Sequence, residues 1–258
     1  MIKLKPIITL ISLLTTIACS STTTTEPTNK PNTTTNQPTN ARQTPSATNT
    51  NQPQNGEKIE KIVQVVFNGE SLPDDWRWID PDKGNPSSYT LKDGNLIVKV
   101  PAGKDLFGDN YDAPRLIKTV SGDFEIETGV KFSPKQSYQG AGLLIWAGKT
   151  QYLRLERGFG GVDGGEGGIR FDKRENDGYE AVSGTSNTPT EIPEVELKIR
   201  RNGKEFAAFW REPNKDWKEI GKTRLDYPNN LDVGLIICNT AEEITAEFSN
   251  LKLALPTK

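Results

Sequence analysis

The stretch that decides the fold is Tyr138-Gln-Gly-Ala-Gly-Leu-Leu-Ile-Trp-Ala-Gly-Lys-Thr-Gln-Tyr-Leu-Arg-Leu-Glu-Arg-Gly158. It reads as two strands joined by Ala147-Gly148-Lys149-Thr150, a glycine-containing hairpin loop. Setting Trp146 opposite Tyr152 brings Ile145 opposite Leu153 and Leu143 opposite Leu155. Successive side chains of a strand point to opposite faces, so those four aliphatics share one face. Leu144, Trp146, Tyr152, Arg154 and Glu156 share the other. One face is core. The other sets an aromatic pair beside an arginine and a glutamate, which marks it as a candidate ligand surface.

Outward from this hairpin the pattern is β almost everywhere after Ile59. Ile62 to Phe67 starts the domain, and Asp75-Trp-Arg-Trp-Ile follows. Leu96, Val98 and Val100 alternate, as do Phe124, Ile126, Val130 and Phe132. Ile169 and Phe171 alternate with Arg170 and Asp172 after a glycine-rich loop from Gly158 to Gly168. Val195, Leu197 and Ile199 lead to the turn Asn202-Gly203, which returns through Phe206, Ala208 and Trp210. Val233 to Cys238 is apolar on both faces and predicts a central strand. The series Ile244, Ala246, Phe248 gives way to Leu251 and Leu253, a phase slip at Ser249-Asn250 that predicts a bulge. No stretch carries a helical period. About a dozen short strands separated by turn signals predict an all-β, two-sheet antiparallel jelly-roll sandwich.

The ends differ from this middle. Lys3 and Lys5 precede an apolar run from Ile7 to Ala18, the form of an export signal and too short for a permanent span. The run closes in Thr-Thr-Ile-Ala-Cys and resembles a bacterial lipoprotein signal with Cys19 as the lipidated residue; Thr16 stands where leucine is usual in such signals. The resemblance implies a signal over 1–18 and attachment of Cys19 to a bilayer, with Ser20 favouring the outer membrane or cell surface. Ser20 to Glu57 is dominated by Thr, Asn, Pro and Gln, with no apolar residue larger than alanine. Such a segment buries too little to offset its ordering entropy, so 19–57 is expected to be a disordered tether and 58–258 the folded domain.

The chain of 258 residues carries 32 Lys+Arg against 34 Asp+Glu and no histidine. The near balance gives no electrostatic reason to expect a nucleic-acid partner. The missing histidine excludes Ser-His-Asp and Cys-His nucleophile systems and any His-ligated metal. With Cys19 acylated, the second cysteine, Cys238, has no partner within the chain and reads as a small buried hydrophobe.

The run Leu72-Pro-Asp-Asp-Trp-Arg-Trp78, then Ser121-Gly-Asp-Phe-Glu-Ile-Glu-Thr128, Ala141-Gly-Leu-Leu-Ile-Trp146 and Tyr152-Leu-Arg-Leu-Glu-Arg157 resembles a known family. It is the bacterial concanavalin A-like domain of unknown function that is also similar to the C-terminal sandwich of β-xylosidases. The resemblance spans about Phe67 to Leu253. It implies a jelly roll of two bent antiparallel sheets, whose concave face binds sugar in lectin and glucanase relatives.

Jelly-roll glucanases carry Glu-x-Asp-x-Glu on one strand face; here Glu125 and Glu127 share a face, but Gly129 stands where the third acid belongs. That strand is expected to be a solvated face. The glycine cluster after Arg157 lacks the helix a phosphate cradle needs and reads as a loop. Asp80-Pro-Asp-Lys-Gly-Asn85 has oxygen donors at alternate positions and, with Asp163 and Glu166, is a weak candidate for structural calcium; no other cofactor is implied. Trp76, Trp78, Trp210 and Trp217 are expected to pack in the core or at its rim. The first reading is therefore a membrane-anchored envelope lipoprotein whose jelly-roll domain binds glycan without catalysis. Trp146 and Tyr152 would form the platform, with Arg154, Glu156, Arg170 and Asp172 as polar partners. The second is a structural or protein-interaction module of the envelope, and the third an atypical glycoside hydrolase.

Overall fold

The computed structural model describes residues 59–159, 168–183 and 191–256. They belong to the unit Gln54–Lys258; the unit Met1–Pro53, with Cys19, lies outside the described residues, as do Asp163 and Glu166. Every regular element among the described residues is a strand: β1 (Ile59–Gln64), β2 (Arg77–Ile79), β3 (Ser88–Lys92), β4 (Asn95–Val100), β5 (Arg115–Ser121), β6 (Phe124–Lys131), β7 (Gly140–Gly148), β8 (Gln151–Gly158), β9 (Gly168–Glu175), β10 (Gly178–Ser183), β11 (Glu194–Asn202), β12 (Glu205–Arg211), β13 (Lys218–Arg224), β14 (Asn230–Cys238) and β15 (Ile244–Pro256). The first sheet runs β13-β12-β11-β6-β15-β4-β3, with β1 also on β15; the second runs β10-β9-β8-β7-β14-β5-β2. All pairings are antiparallel, giving the two-sheet jelly-roll sandwich.

The decisive hairpin is β7–β8, and its register is the one the sequence predicts: Trp146 faces Tyr152, Ile145 faces Leu153 and Leu143 faces Leu155. Leu143, Ile145, Leu153 and Leu155 are fully buried between the sheets with Ile126, Leu197, Phe206, Phe248 and Leu253. β14, apolar on both faces, lies between β7 and β5. The phase slip in β15 is a register shift between Ser249 and Lys252, with Asn250 at φ 51°. Trp76 and Trp210 are core, and Trp78 packs against it. Gly129 is explained by a close approach: a Cβ there would meet Ser249 Oγ at 2.3 Å.

A second apolar cluster lies on the outer face of the second sheet. It joins Ile117, Leu144, Tyr152, Ile236 and Cys238 to Leu106 and Ala113 of the β4–β5 connection, residues 101–114. That connection folds across the sheet with its backbone groups met partly at Asn239 and partly within itself. Lys104 and Asn239 exchange backbone hydrogen bonds at 2.7 and 2.5 Å, and Phe107 and Asn110 do so at 3.1 and 3.0 Å. The face opposite Leu153 is thus covered rather than open, and Leu144 is as buried as Leu153.

Candidate ligand-binding site

Cross-strand pairing builds the site. On the outer face of the second sheet β8 sets Arg154 directly opposite Asp172 of β9, and Glu156 opposite Arg170. Opposite charges in such positions attract, and here they form a buried lattice. Arg170 Nη2 donates to Glu156 Oε2 at 3.3 Å, while Arg154 faces Asp172 Oδ2 and Glu156 Oε2 at 3.8 Å each. The lattice needs room at the strand level, which Gly140 and Gly158 supply. A Cβ on Gly158 would come within 2.7 Å of Arg170 Nη2, and one on Gly140 within 3.0 Å of both Arg170 and Glu156.

All six residues read from the sequence as a ligand face are brought together, but not as an open platform. Trp146 and Tyr152 stack with ring centroids 5.6 Å apart. Tyr152 is only 1% exposed, and its hydroxyl donates to the Leu106 carbonyl at 2.6 Å. Burial pushes that hydroxyl's pKa well above its ordinary value. Trp146 is half-buried, with the Arg115 guanidinium 4.9 Å above its ring. Arg154, Glu156, Arg170 and Asp172 are all buried. Over Tyr152 the cover is the 101–114 connection, while Arg154, Glu156, Arg170 and Asp172 bury one another in their cross-strand lattice.

Where that cover stops, a cavity of about 530 Å³ opens onto Arg154 and Arg170, lined also by Asp105, Phe107, Tyr138, Tyr179 and Thr240. Phe107 packs on Tyr179 with centroids 4.3 Å apart, and is itself 52% exposed. Tyr179 is held by accepting a hydrogen bond from the Gly108 amide at 2.7 Å, and by Arg174 4.9 Å above its ring. Tyr138 also lines the cavity, 55% exposed, with φ at 68°. A non-glycine residue in the left-handed region is uncommon and costs energy. Thr240, beside it, donates to the Ser137 carbonyl at 3.0 Å. Burial is the main influence raising the Asp105 carboxyl above the usual carboxylate range, against the opposing charge of Arg154. Asp105, Phe107, Tyr138, Tyr179 and Thr240 were missed because they come from loops and an edge strand, where no period announces them. Phe107 and Tyr138 are exposed aromatics, but nothing in the sequence alone sets them apart from core ones.

Two other motifs resolve differently. Glu125 and Glu127 lie on the far sheet, with Lys198 Nζ 3.6 and 3.5 Å from them and Arg200 2.6 Å from Glu125. Burial pulls the Glu125 carboxyl up, but the Arg200 hydrogen bond and Lys198 outweigh it and hold it low; burial and contact with Glu125 raise Glu127. In the Asp80–Asn85 loop, Lys104 supplies the cation: its Nζ is 3.5 Å from Asp80 Oδ1 and 3.0 Å from Asp82 Oδ2. Among the described residues no group of three or more acidic or cysteine side chains is placed to hold a metal.

Residues 64–230 match the β-xylosidase C-terminal concanavalin A-like domain. The chain belongs to that family. No curated protein sequence matches this family member. Its fold is similar to the GH43 protein BlXynB of Bacillus licheniformis at 17% identity and a TM-score of 0.60, over 80% of this chain and 41% of that one. It is also similar to a xylan β-1,4-xylosidase from Bacillus halodurans C-125 at 16% identity and a TM-score of 0.60, with the same coverages of 80% and 41%. A functionally unknown protein of Saccharomyces cerevisiae shares the fold at 13% identity and a TM-score of 0.58, over 71% of this chain and 98% of that one. The concanavalin A-like domain thus spans less than half the length of the two Bacillus proteins.

Proposed function

We propose that the domain binds carbohydrate in the cavity above Arg154 and Arg170, without catalysis, on a lipoprotein of the cell envelope. The observation that carries this reading is the cavity's composition: half-open rings of Phe107, Tyr138 and Tyr179 around a floor of guanidinium groups. Sugars present apolar ring faces that pack on aromatics and hydroxyls that meet charged donors and acceptors. About 530 Å³ suits a small glycan. In this reading Arg154 and Arg170 touch the ligand, and Glu156 and Asp172 orient them. Tyr152 and Trp146 form the packed base beneath the 101–114 connection. Membership of a family found at the end of β-xylosidases supports a polysaccharide partner.

The anchor rests on sequence: Lys3 and Lys5, the apolar run and Cys19 support lipidation and attachment to the outer membrane or surface. Calorimetry of the full-length chain against a broad oligosaccharide panel tests the binding. Tyr179→Ala and Phe107→Ala should each weaken it by about tenfold, the size of one aromatic contact. No release of reducing sugar should accompany it. Absence of binding across the panel would defeat the reading in favour of a protein-interaction module.

A further inference from the structure

Arg154 is 6% exposed, lines the cavity, and is poorly served by its neighbours. Among the described residues its hydrogen bond is from Nη1 to the Cys238 sulfur at 3.5 Å, a weak acceptor. The carboxylate oxygens it faces are both 3.8 Å away, beyond hydrogen-bond length, and its buried Nε has no hydrogen-bond partner among the described residues. Burial works against its charge, but Glu156 and Asp172 outweigh that and hold the guanidinium firmly protonated. A buried cation whose donors lack oxygen acceptors is costly, unless something else arrives to accept.

Among the described residues the cavity wall carries two cations and one acid. Arg154 and Arg170 line it, whereas Glu156 is 0% exposed beneath them and, like Asp172, does not reach the cavity. Among the described residues the acid on the wall is Asp105, which already accepts from the Leu106 amide at 2.7 Å. Among the described residues the polar surface offered to a ligand is therefore weighted toward donors.

Resting on the carbohydrate reading, we infer that the ligand is an acidic sugar, a hexuronic acid or its oligomer, with its carboxylate on Arg154. The planar guanidinium matches a carboxylate in shape as well as charge. Phe107, Tyr138 and Tyr179 then take the sugar ring faces, and the carboxylate supplies the oxygen acceptors that Cys238 does not.

Titration calorimetry of the full-length chain with a galacturonic-acid trisaccharide, its methyl ester and the neutral galactose trisaccharide tests this. The acid should bind about tenfold or more tightly than the ester and the neutral sugar, as one charged hydrogen-bonded pair allows. In Arg154→Gln that preference should collapse, the acid falling to the affinity of its methyl ester. Should Arg154→Gln fail to fold, the acid-to-ester ratio on the unaltered chain decides alone. Equal binding of acid and ester would overturn the acidic-sugar inference and leave carbohydrate binding standing. Binding of none of these or any other sugar would overturn both.

Discussion

Tyr138 puts local conformation and function in opposition. Its φ of 68° costs about 1–2 kcal/mol for a side chain with a Cβ, yet its ring is 55% exposed and contributes little core. Tyr138→Gly should therefore keep or raise stability in a urea melt while weakening glycan binding by calorimetry. A fall in stability would show that the ring packs for structure. Lys104 makes the opposite case, because its ammonium sits where the oxygen-rich loop suggested calcium. Lys104→Met would strand Asp80, which is buried, and should cost about 3–5 kcal/mol, whereas a chelator should leave the melting temperature of the unaltered chain unchanged. The hydrogen bond from Lys104 holds the Asp82 carboxyl below its ordinary value. A depressed pKa stabilises above the unfolded value and is lost as pH falls through the folded one, so the gap between the two proteins should narrow below about pH 4. At this scale Arg154, Glu156, Arg170 and Asp172 were legible, because strand alternation alone puts them on one face. Lys104 was not, because its partners are about twenty residues away and nothing local marks a lysine as buried.

Elements were legible in proportion to how one-sided their burial is. β4, β6, β11 and β12 alternate because one face meets the core and the other does not. β3, β10 and β13 escaped notice as edge strands, which carry few apolar residues and so lack the contrast that makes a period visible. β5 escaped for the opposite reason: Leu116 faces the main core and Ile117 the outer cluster, so two adjacent positions are both buried. The 101–114 connection creates that second cluster, and it changes the expected cost of mutation. Leu144→Ala should now cost about 2–5 kcal/mol, the same range as Leu153→Ala, since both are fully buried. A much smaller loss at Leu144 in chemical denaturation would mean that the connection does not cover the sheet in solution. Tyr152→Phe removes the tie to Leu106 and should cost only about 0.5–1.5 kcal/mol. It should speed amide exchange at Asn110 and Ala113, whose amides are bonded within the connection, while leaving β7 and β14 protected.

The whole sandwich closes through its first and last strands. β15 pairs with β4 through its first half and with β1 through its second, while β6 lies along its other side. Val63 packs against the core, Val65 is buried, and the Val65 amide donates to the Leu251 carbonyl at 2.8 Å. Class and register were readable from alternation, but this closure joins residues nearly two hundred positions apart and leaves no local trace in the sequence. It also sets where the folded part must begin. A chain starting at residue 58 keeps β1 whole and should melt with the full-length protein, because Ser20 to Glu57 offers no side chain able to fill a core. A chain starting at residue 66 loses both valines, Val65 worth about 1.5–3 kcal/mol of burial and the partly buried Val63 less. It also leaves the second half of β15 as an uncovered edge beside Leu253 and Leu255, open to pairing with another copy. The shorter chain should therefore melt lower and aggregate, as read by calorimetric melting and light scattering at matched concentration. Equal melting of the chains starting at 58 and 66 would show that β1 adds nothing to the sandwich. A drop already at 58 would show that residues before it pack on the domain.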